Sequence, residues 1–218
     1  MCGINGIIQF RRILTAEDQE ERVRKMNDRL AHRGPDDQGT HLHGAVCIGQ
    51  RRLSIIDLSA GGHQPMLSAD GRHVIAFNGE IYNFRELKTE LERVARGSEE
   101  RSYPFRTHSD TEVILAAFQR WGADCVCRFN GMFAFAIHDL QTGKVFIARD
   151  RLGIKPFYYF KSEDVFCFSS EIRALIQSNL FKTKVNQESM WDYLRYQTVH
   201  APATIPVSYT HLTLPTKA

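Results

Sequence analysis

The chain has 218 residues, 43% hydrophobic and 24% charged, which excludes a disordered or fibrous protein and leaves length for one large domain or a domain with an extension. Lys and Arg outnumber Asp and Glu by 28 to 25, and this +3 balance is spread without a basic block or interleaved aromatics, so no nucleic-acid partner is expected. The apolar opening, residues 2–10, lacks a basic start and is broken by Asn5 and Gln9; it reads as neither signal peptide nor membrane span, and the expected location is cytoplasmic.

Residues 2–10 predict a strand. Thr15, with Asp18 three positions on, resembles a capping arrangement that opens a helix to 31, with Val23, Met26 and Leu30 on one face. Strand-like runs follow at 45–56 and 73–77, separated by the turn cluster Gly61, Gly62, His63, Gln64 and Pro65. Asn83 is placed to cap a helix to about 93, and the polar stretch 96–108, with Gly97 and Pro104, reads as a loop. Helical spacing of Val113, Ile114, Ala117 and Phe118 predicts a helix over 110–121, stopped by Gly122. Four strands then crowd together, at 132–139, 144–148, 156–161 and 165–169. Their connections are too short for crossover helices, so adjacent strands are expected to pair antiparallel. Helices at 171–178 and 187–196 close the globular part. The order favours an α+β protein with layered antiparallel sheets and helices over a doubly wound parallel sheet. From 207 the amphipathic period is lost, and 207–218 reads as a truncated or non-native tail.

The five cysteines, Cys2, Cys47, Cys125, Cys127 and Cys167, lack the spacing of a zinc site or a disulfide framework, so no metal is expected and a reducing compartment fits. Cys2 stands apart. Directly behind Met1, it becomes the N-terminal residue if Met1 is trimmed, and then carries both a thiol and an α-amine. Such an amine has an unperturbed pKa of about 7.7 to 8.0 and can take the thiol's proton near neutrality. Taken alone, a second-position cysteine is more often a small apolar residue opening a strand.

Other residue types complete a candidate pocket for an amino acid. Asn78 and Gly79 end the predicted strand, where a side-chain amide and an open backbone N–H can both face one oxygen, although Asn-Gly is also a hairpin-turn signal. Arg52 is suited to a substrate carboxylate, and Glu80 and Asp110 to an ammonium group; the bland readings are a surface ion pair for Arg52 and a helix N-cap for Asp110. His32 competes with the α-amine as general base, in a stretch with Arg33, Gly34 and Pro35 that reads as a mobile flap. Asp150, Arg151, Gly153, Lys155 and Pro156 form a charged turn with an expected structural or interdomain role.

Together, Cys2-Gly3-Ile4, His32-Arg33-Gly34-Pro35-Asp36, Arg52-Leu53-Ser54-Ile55, Asn78-Gly79-Glu80-Ile81-Tyr82-Asn83, Ser109-Asp110-Thr111-Glu112, Gly131-Met132-Phe133-Ala134-Phe135 and Asp150-Arg151-Leu152-Gly153-Ile154-Lys155-Pro156 resemble glutamine-hydrolysing asparagine synthetases in order and spacing. The resemblance runs from Cys2 to about Ala174. It implies an N-terminal nucleophile (Ntn) hydrolase domain over 2–185, a four-layer sandwich of two antiparallel sheets between helical layers, with 186–206 starting a connection to a synthetase domain. It further implies Cys2 as nucleophile with its own amine as base, Asn78 and the Gly79 N–H as oxyanion hole, Arg52 on the glutamine α-carboxylate, and Glu80 and Asp110 on its α-amine.

The implied reaction frees ammonia from glutamine without a cofactor. ATP and Mg belong to the synthetase domain, whose Ser-Gly-Gly pyrophosphate loop does not occur in this sequence. The implied partners are glutamine and that domain, with a homodimer as the oligomer to test. Competing readings are the glutaminase domain of an amidotransferase with another acceptor, such as glucosamine-6-phosphate synthase or amidophosphoribosyltransferase, and a non-catalytic remnant acting as a binding module.

Overall fold

The computed structural model describes residues 1–96, 103–200, 203–207 and 210–211. In chain order the elements are β1 (Gly3–Gln9), α1 (Ala16–Arg29), β2 (Asp37–His43), β3 (Val46–Arg52), β4 (Met66–Leu67), β5 (His73–Ile81) and α2 (Phe84–Arg96). There follow α3 (Asp110–Trp121), β6 (Gly131–Asp139), β7 (Val145–Arg149), β8 (Tyr158–Lys161), β9 (Val165–Ser169), α4 (Ile172–Gln177), β10 (Lys184–Val185), α5 (Gln187–Tyr196), β11 (Pro206–Val207) and β12 (Thr210–His211). A six-stranded sheet has the order β12-β8-β9-β1-β3-β2, and a four-stranded sheet the order β4-β5-β6-β7; every pairing is antiparallel.

The period of two along each strand explains the layers. On β1 and β3, Ile7 and Cys47 turn towards α1 and α4, where they pack with Val23, Met26, Leu30, Ala174 and Leu175. Ile4, Val46 and Ile48 turn the other way, onto Val74, Ala76, Ala134 and Ala136 of the four-stranded sheet. The three small alanines leave room for Phe157 and Phe168, which stack with ring centroids 5.2 Å apart. The far face of the second sheet, with Ile75, Phe77, Phe133, Phe135 and Ile137, buries against α2 and α3. Helices, sheet, sheet, helices: this is the expected α+β four-layer sandwich.

Several local expectations change. The Asn78-Gly79 pair is not a turn, because β5 continues through it to Ile81, with Asn78 opposite Ala134 and Gly79 opposite Phe133. A Cβ at Gly79 would collide with the Met132 carbonyl, so the missing side chain is what lets β6 lie this close. Strand β3 ends at Arg52 instead of running to 56. There the guanidinium folds back onto the carbonyl oxygens of Ser59 (3.1 Å) and Asp57, and the chain leaves the sheet to wrap around it. Strand β2 was not foreseen; its polar composition hides an edge strand.

Thr15 caps α1 as expected, accepting from Asp18 N at 3.1 Å. Asn83 does not cap α2 with its side chain, which instead accepts from Asn130 N (2.9 Å) and donates to Arg128 O (3.0 Å). Strands β7 and β8 are consecutive yet lie in different sheets, so the turn at 150–156 carries the chain between layers. Much of the expected loop at 96–108, and most of the 207–218 tail, lie outside the described residues.

Candidate functional site

Antiparallel pairing of β1 with β3 sets Gly3 opposite Arg51, which brings Cys2 beside Arg52 and Leu53 at one end of the first sheet. The C-terminal end of β5 and the start of α3 meet this edge. Cys2, Arg52, Asn78, Gly79, Glu80 and Asp110 thereby line one cavity of about 250 Å³. That volume falls just under the roughly 300 Å³ at which sites for drug-sized ligands begin, and suits a small molecule.

The Cys2 thiol is half-buried and held by backbone. Leu53 N donates to Sγ at 3.3 Å, and Sγ lies 3.6 Å from Leu53 O. Arg33 Nε donates to the Cys2 carbonyl at 2.9 Å, while the same guanidinium pairs with Glu171 at 3.1 Å. The other cysteines are differently placed. Burial pushes the thiols of Cys47, Cys125 and Cys167 up to about 12, which removes them as nucleophiles at neutral pH; Cys127 is exposed.

Asn78 is buried, and its Nδ2 has no hydrogen-bond partner among the described residues. Orphaned buried donors are rare in folded proteins, and one lining a cavity beside a thiol is positioned to meet an incoming acceptor. The neighbouring backbone points the same way. Phe77 N donates to Gln64 Oε1 (2.8 Å) and Ile81 N to Asp110 Oδ2 (3.0 Å), both away from β6. Strand alternation gives the Gly79 N–H, midway between them, that same direction.

Ser109, not Asp110, caps α3, accepting from Thr111 N at 3.1 Å. Asp110 is therefore free to face the cavity from the first helical turn. Burial raises its carboxyl to about 6, and the nearby Glu80 charge adds to the shift, against the stabilising N–H groups of Ile81 and Thr111. Arg52 is buried against its two carbonyls, and Gly62 lies so close to its guanidinium that any Cβ there would occupy the same space. The cavity thus has a guanidinium from β3, and two acids from β5 and α3.

His32 is not brought to this group. It is half-exposed beside Glu171 (Nε2 to Oε1 2.8 Å) and Arg173, and its neighbour Arg33 reaches Cys2 in its place. The turn at 150–156 divides: Asp150 is structural, accepting from the backbone N–H groups of Phe133, Ile154 and Lys155 (3.2, 2.8 and 2.9 Å), but Lys155 lines the cavity, a role the sequence reading missed. Met1, Gln64, Thr111 and Met132 are further wall residues not singled out in advance. Among the described residues no group of three or more His, Cys, Asp or Glu side chains is arranged to hold a metal ion.

Residues 1–215 match the family model described as the glutamine amidotransferase domain. The chain belongs to this family. Putative asparagine synthetase [glutamine-hydrolyzing] 2 of Methanocaldococcus jannaschii is 38% identical, over 94% of this chain and 41% of its own length. Asparagine synthetase [glutamine-hydrolyzing] 1 of Bacillus subtilis is 40% identical, over 94% of this chain and 31% of its own. The amidotransferase domain here thus spans well under half the length of these relatives.

Two solved structures share the fold. The glutamine phosphoribosylpyrophosphate amidotransferase from B. subtilis, complexed with ADP and GMP, superposes with TM-score 0.63 at 21% identity, over 85% of this chain and 45% of that one. The allosteric regulatory enzyme of purine biosynthesis gives 0.65 at 23%, over 82% and 43%. At these identities the likeness concerns the fold alone, two antiparallel sheets layered between helices.

Proposed function

We propose that this domain hydrolyses glutamine to glutamate and ammonia at the Cys2 cavity, as the glutaminase half of an asparagine synthetase. The observation that carries the reading is the orphaned Asn78 amide in the same small cavity as the Cys2 thiol. After removal of Met1, the Cys2 α-amine takes the thiol proton and the sulfur attacks the glutamine side-chain carbonyl. The oxygen that becomes negative lies towards Asn78 Nδ2 and the Gly79 N–H. Each such donor stabilises the transition state by about 2.7 to 4 kcal/mol. The protonated amine returns its proton to the departing nitrogen, which leaves as ammonia. Water then cleaves the thioester and restores the thiol.

Arg52 receives the α-carboxylate of glutamine, and Glu80 with Asp110 its α-ammonium. Burial is the main cause of the raised Asp110 carboxyl, and an ammonium placed between the two acids also relieves the smaller contribution from Glu80. The ammonia released serves amidation of aspartate by a C-terminal synthetase domain; the 31% to 41% of the relatives' length that the chain spans supports such a partner. ATP and Mg belong to that partner's half-reaction, and no step at Cys2 passes through them. The proposed setting is cytoplasmic, in keeping with reduced cysteines and with the finding that no helix among the described residues is long and apolar enough to cross a membrane.

Ammonia release from glutamine, measured with the purified chain and with Cys2→Ala, tests the proposal. Release by the unsubstituted protein alone is expected; equal release by both would defeat it.

A further inference from the structure

We infer that Lys155 is a positioning residue for this reaction: from the wall of the cavity its ammonium keeps the amine of a processed Cys2 unprotonated near neutral pH. The inference rests on the proposed reading of Cys2 as a nucleophile served by its own amine.

Lys155 is 4% exposed and lines the cavity that holds Cys2. Its Nζ donates to Met1 Sδ at 3.5 Å, and no ion pair joins it to a carboxylate among the described residues. A thioether is a weak acceptor. Burying an ammonium with so little compensation is costly, and the fold nevertheless holds it there. Asp150 fixes the turn through Ile154 N and Lys155 N, and Arg149 Nε donates to Lys155 O at 2.6 Å.

The Met1 contact locates the charge. Lys155 Nζ lies within one methionine side chain of the bond whose cleavage creates the Cys2 amine, and that cleavage also removes its partner. Two cations then face each other across a confined space, and the amine, the weaker base, yields its proton more readily.

The remaining charges of the cavity do not replace it. Arg52 comes from β3 with its guanidinium on the Ser59 and Asp57 carbonyls, and Arg33, after α1, is committed to the Cys2 carbonyl and Glu171. Glu80 from β5, Asp110 from α3 and Asp57 from the loop after β3 favour the protonated amine; a bound ammonium group offsets the first two.

The test titrates the amine directly, by the Cα shift of ¹³C-labelled Cys2 in protein freed of Met1, alongside the pH profile of kcat/KM for glutamine. Lys155→Met is expected to raise the amine pKa by about one unit and to move the acid limb of the profile up equally. Lys155→Gln removes the same charge and serves where the Met variant does not fold; Lys155→Arg keeps both values near those of the unsubstituted protein. An amine pKa unchanged in the Met and Gln variants overturns the inference. Absence of ammonia release from the unsubstituted protein would instead defeat the glutaminase reading, while the titration still decides the role of Lys155.

Discussion

Leu53 donates its backbone N–H to Cys2 Sγ at 3.3 Å, and this contact exists because β3 stops one residue earlier, at Arg52. Had the strand continued, Leu53 would be committed to the sheet. The break frees a backbone donor for the sulfur. The same break lets Arg52 turn back onto the 57–59 carbonyls, so one strand end shapes both the surroundings of the Cys2 sulfur and the proposed carboxylate subsite.

Asn78→Ala is expected to lower kcat for glutamine hydrolysis by about 10² to 10³ with little change in KM, because the amide acts on the transition-state oxygen. Its thermal stability should not fall, since the substitution removes a buried donor that has no partner. A proportionate rise in KM with kcat retained would place Asn78 on the substrate's ground state instead.

Glutamine binding should weaken as pH falls through about 6, where Asp110 takes a proton and its charge no longer meets the ligand ammonium. KM rises on the acid side in the unsubstituted protein. Asp110→Asn gives a high KM that no longer varies through this window. The folded carboxyl is raised, so its contribution to stability has the opposite sense: it is present below about 3.8 and lost as pH rises through about 6. Steady-state kinetics from pH 5 to 8 check the binding claim.

His138 lies between the sheets beside His43, with ring centroids 5.9 Å apart. Burial lowers its imidazole to about 4, with the charges of His43 and His41 adding to the effect. Because the folded value is depressed, the stabilisation is present above about 6.5 and is lost as pH falls towards 4. Thermal melts should show a smaller drop in Tm from pH 7 to pH 5 for His138→Gln than for the unsubstituted chain.

Gly62→Ala is expected to raise KM for glutamine at least about tenfold, since its methyl group displaces the Arg52 guanidinium proposed to receive the carboxylate. A KM unchanged in Gly62→Ala would show that Arg52 does not hold the substrate.

The parts of the site that could be read from sequence are those whose chemistry sits in short strings: a cysteine at position 2, the Asn78-Gly79-Glu80 run, Arg52, and Asp110 just inside a helix. The structure places all six in one cavity. Lys155 was hidden because its turn looks like any charged connection; its location follows from β7 and β8 lying in different sheets, a long-range fact with no local signal. Asn-Gly gives a strong local turn signal, yet pairing with β6 overrides it, and β2 is held by its edge position rather than by apolar alternation. The layers were legible because alternating faces on β1, β5 and β6 and the apolar stripe of α1 point to the same packing.

The most direct measurement is peptide mass spectrometry of the purified protein quenched in acid during turnover of ¹³C-labelled glutamine. The account predicts an N-terminal peptide that begins at Cys2, without Met1, and carries the labelled glutamyl group as a thioester. Label on another cysteine, or full ammonia release by protein that retains Met1, would contradict it.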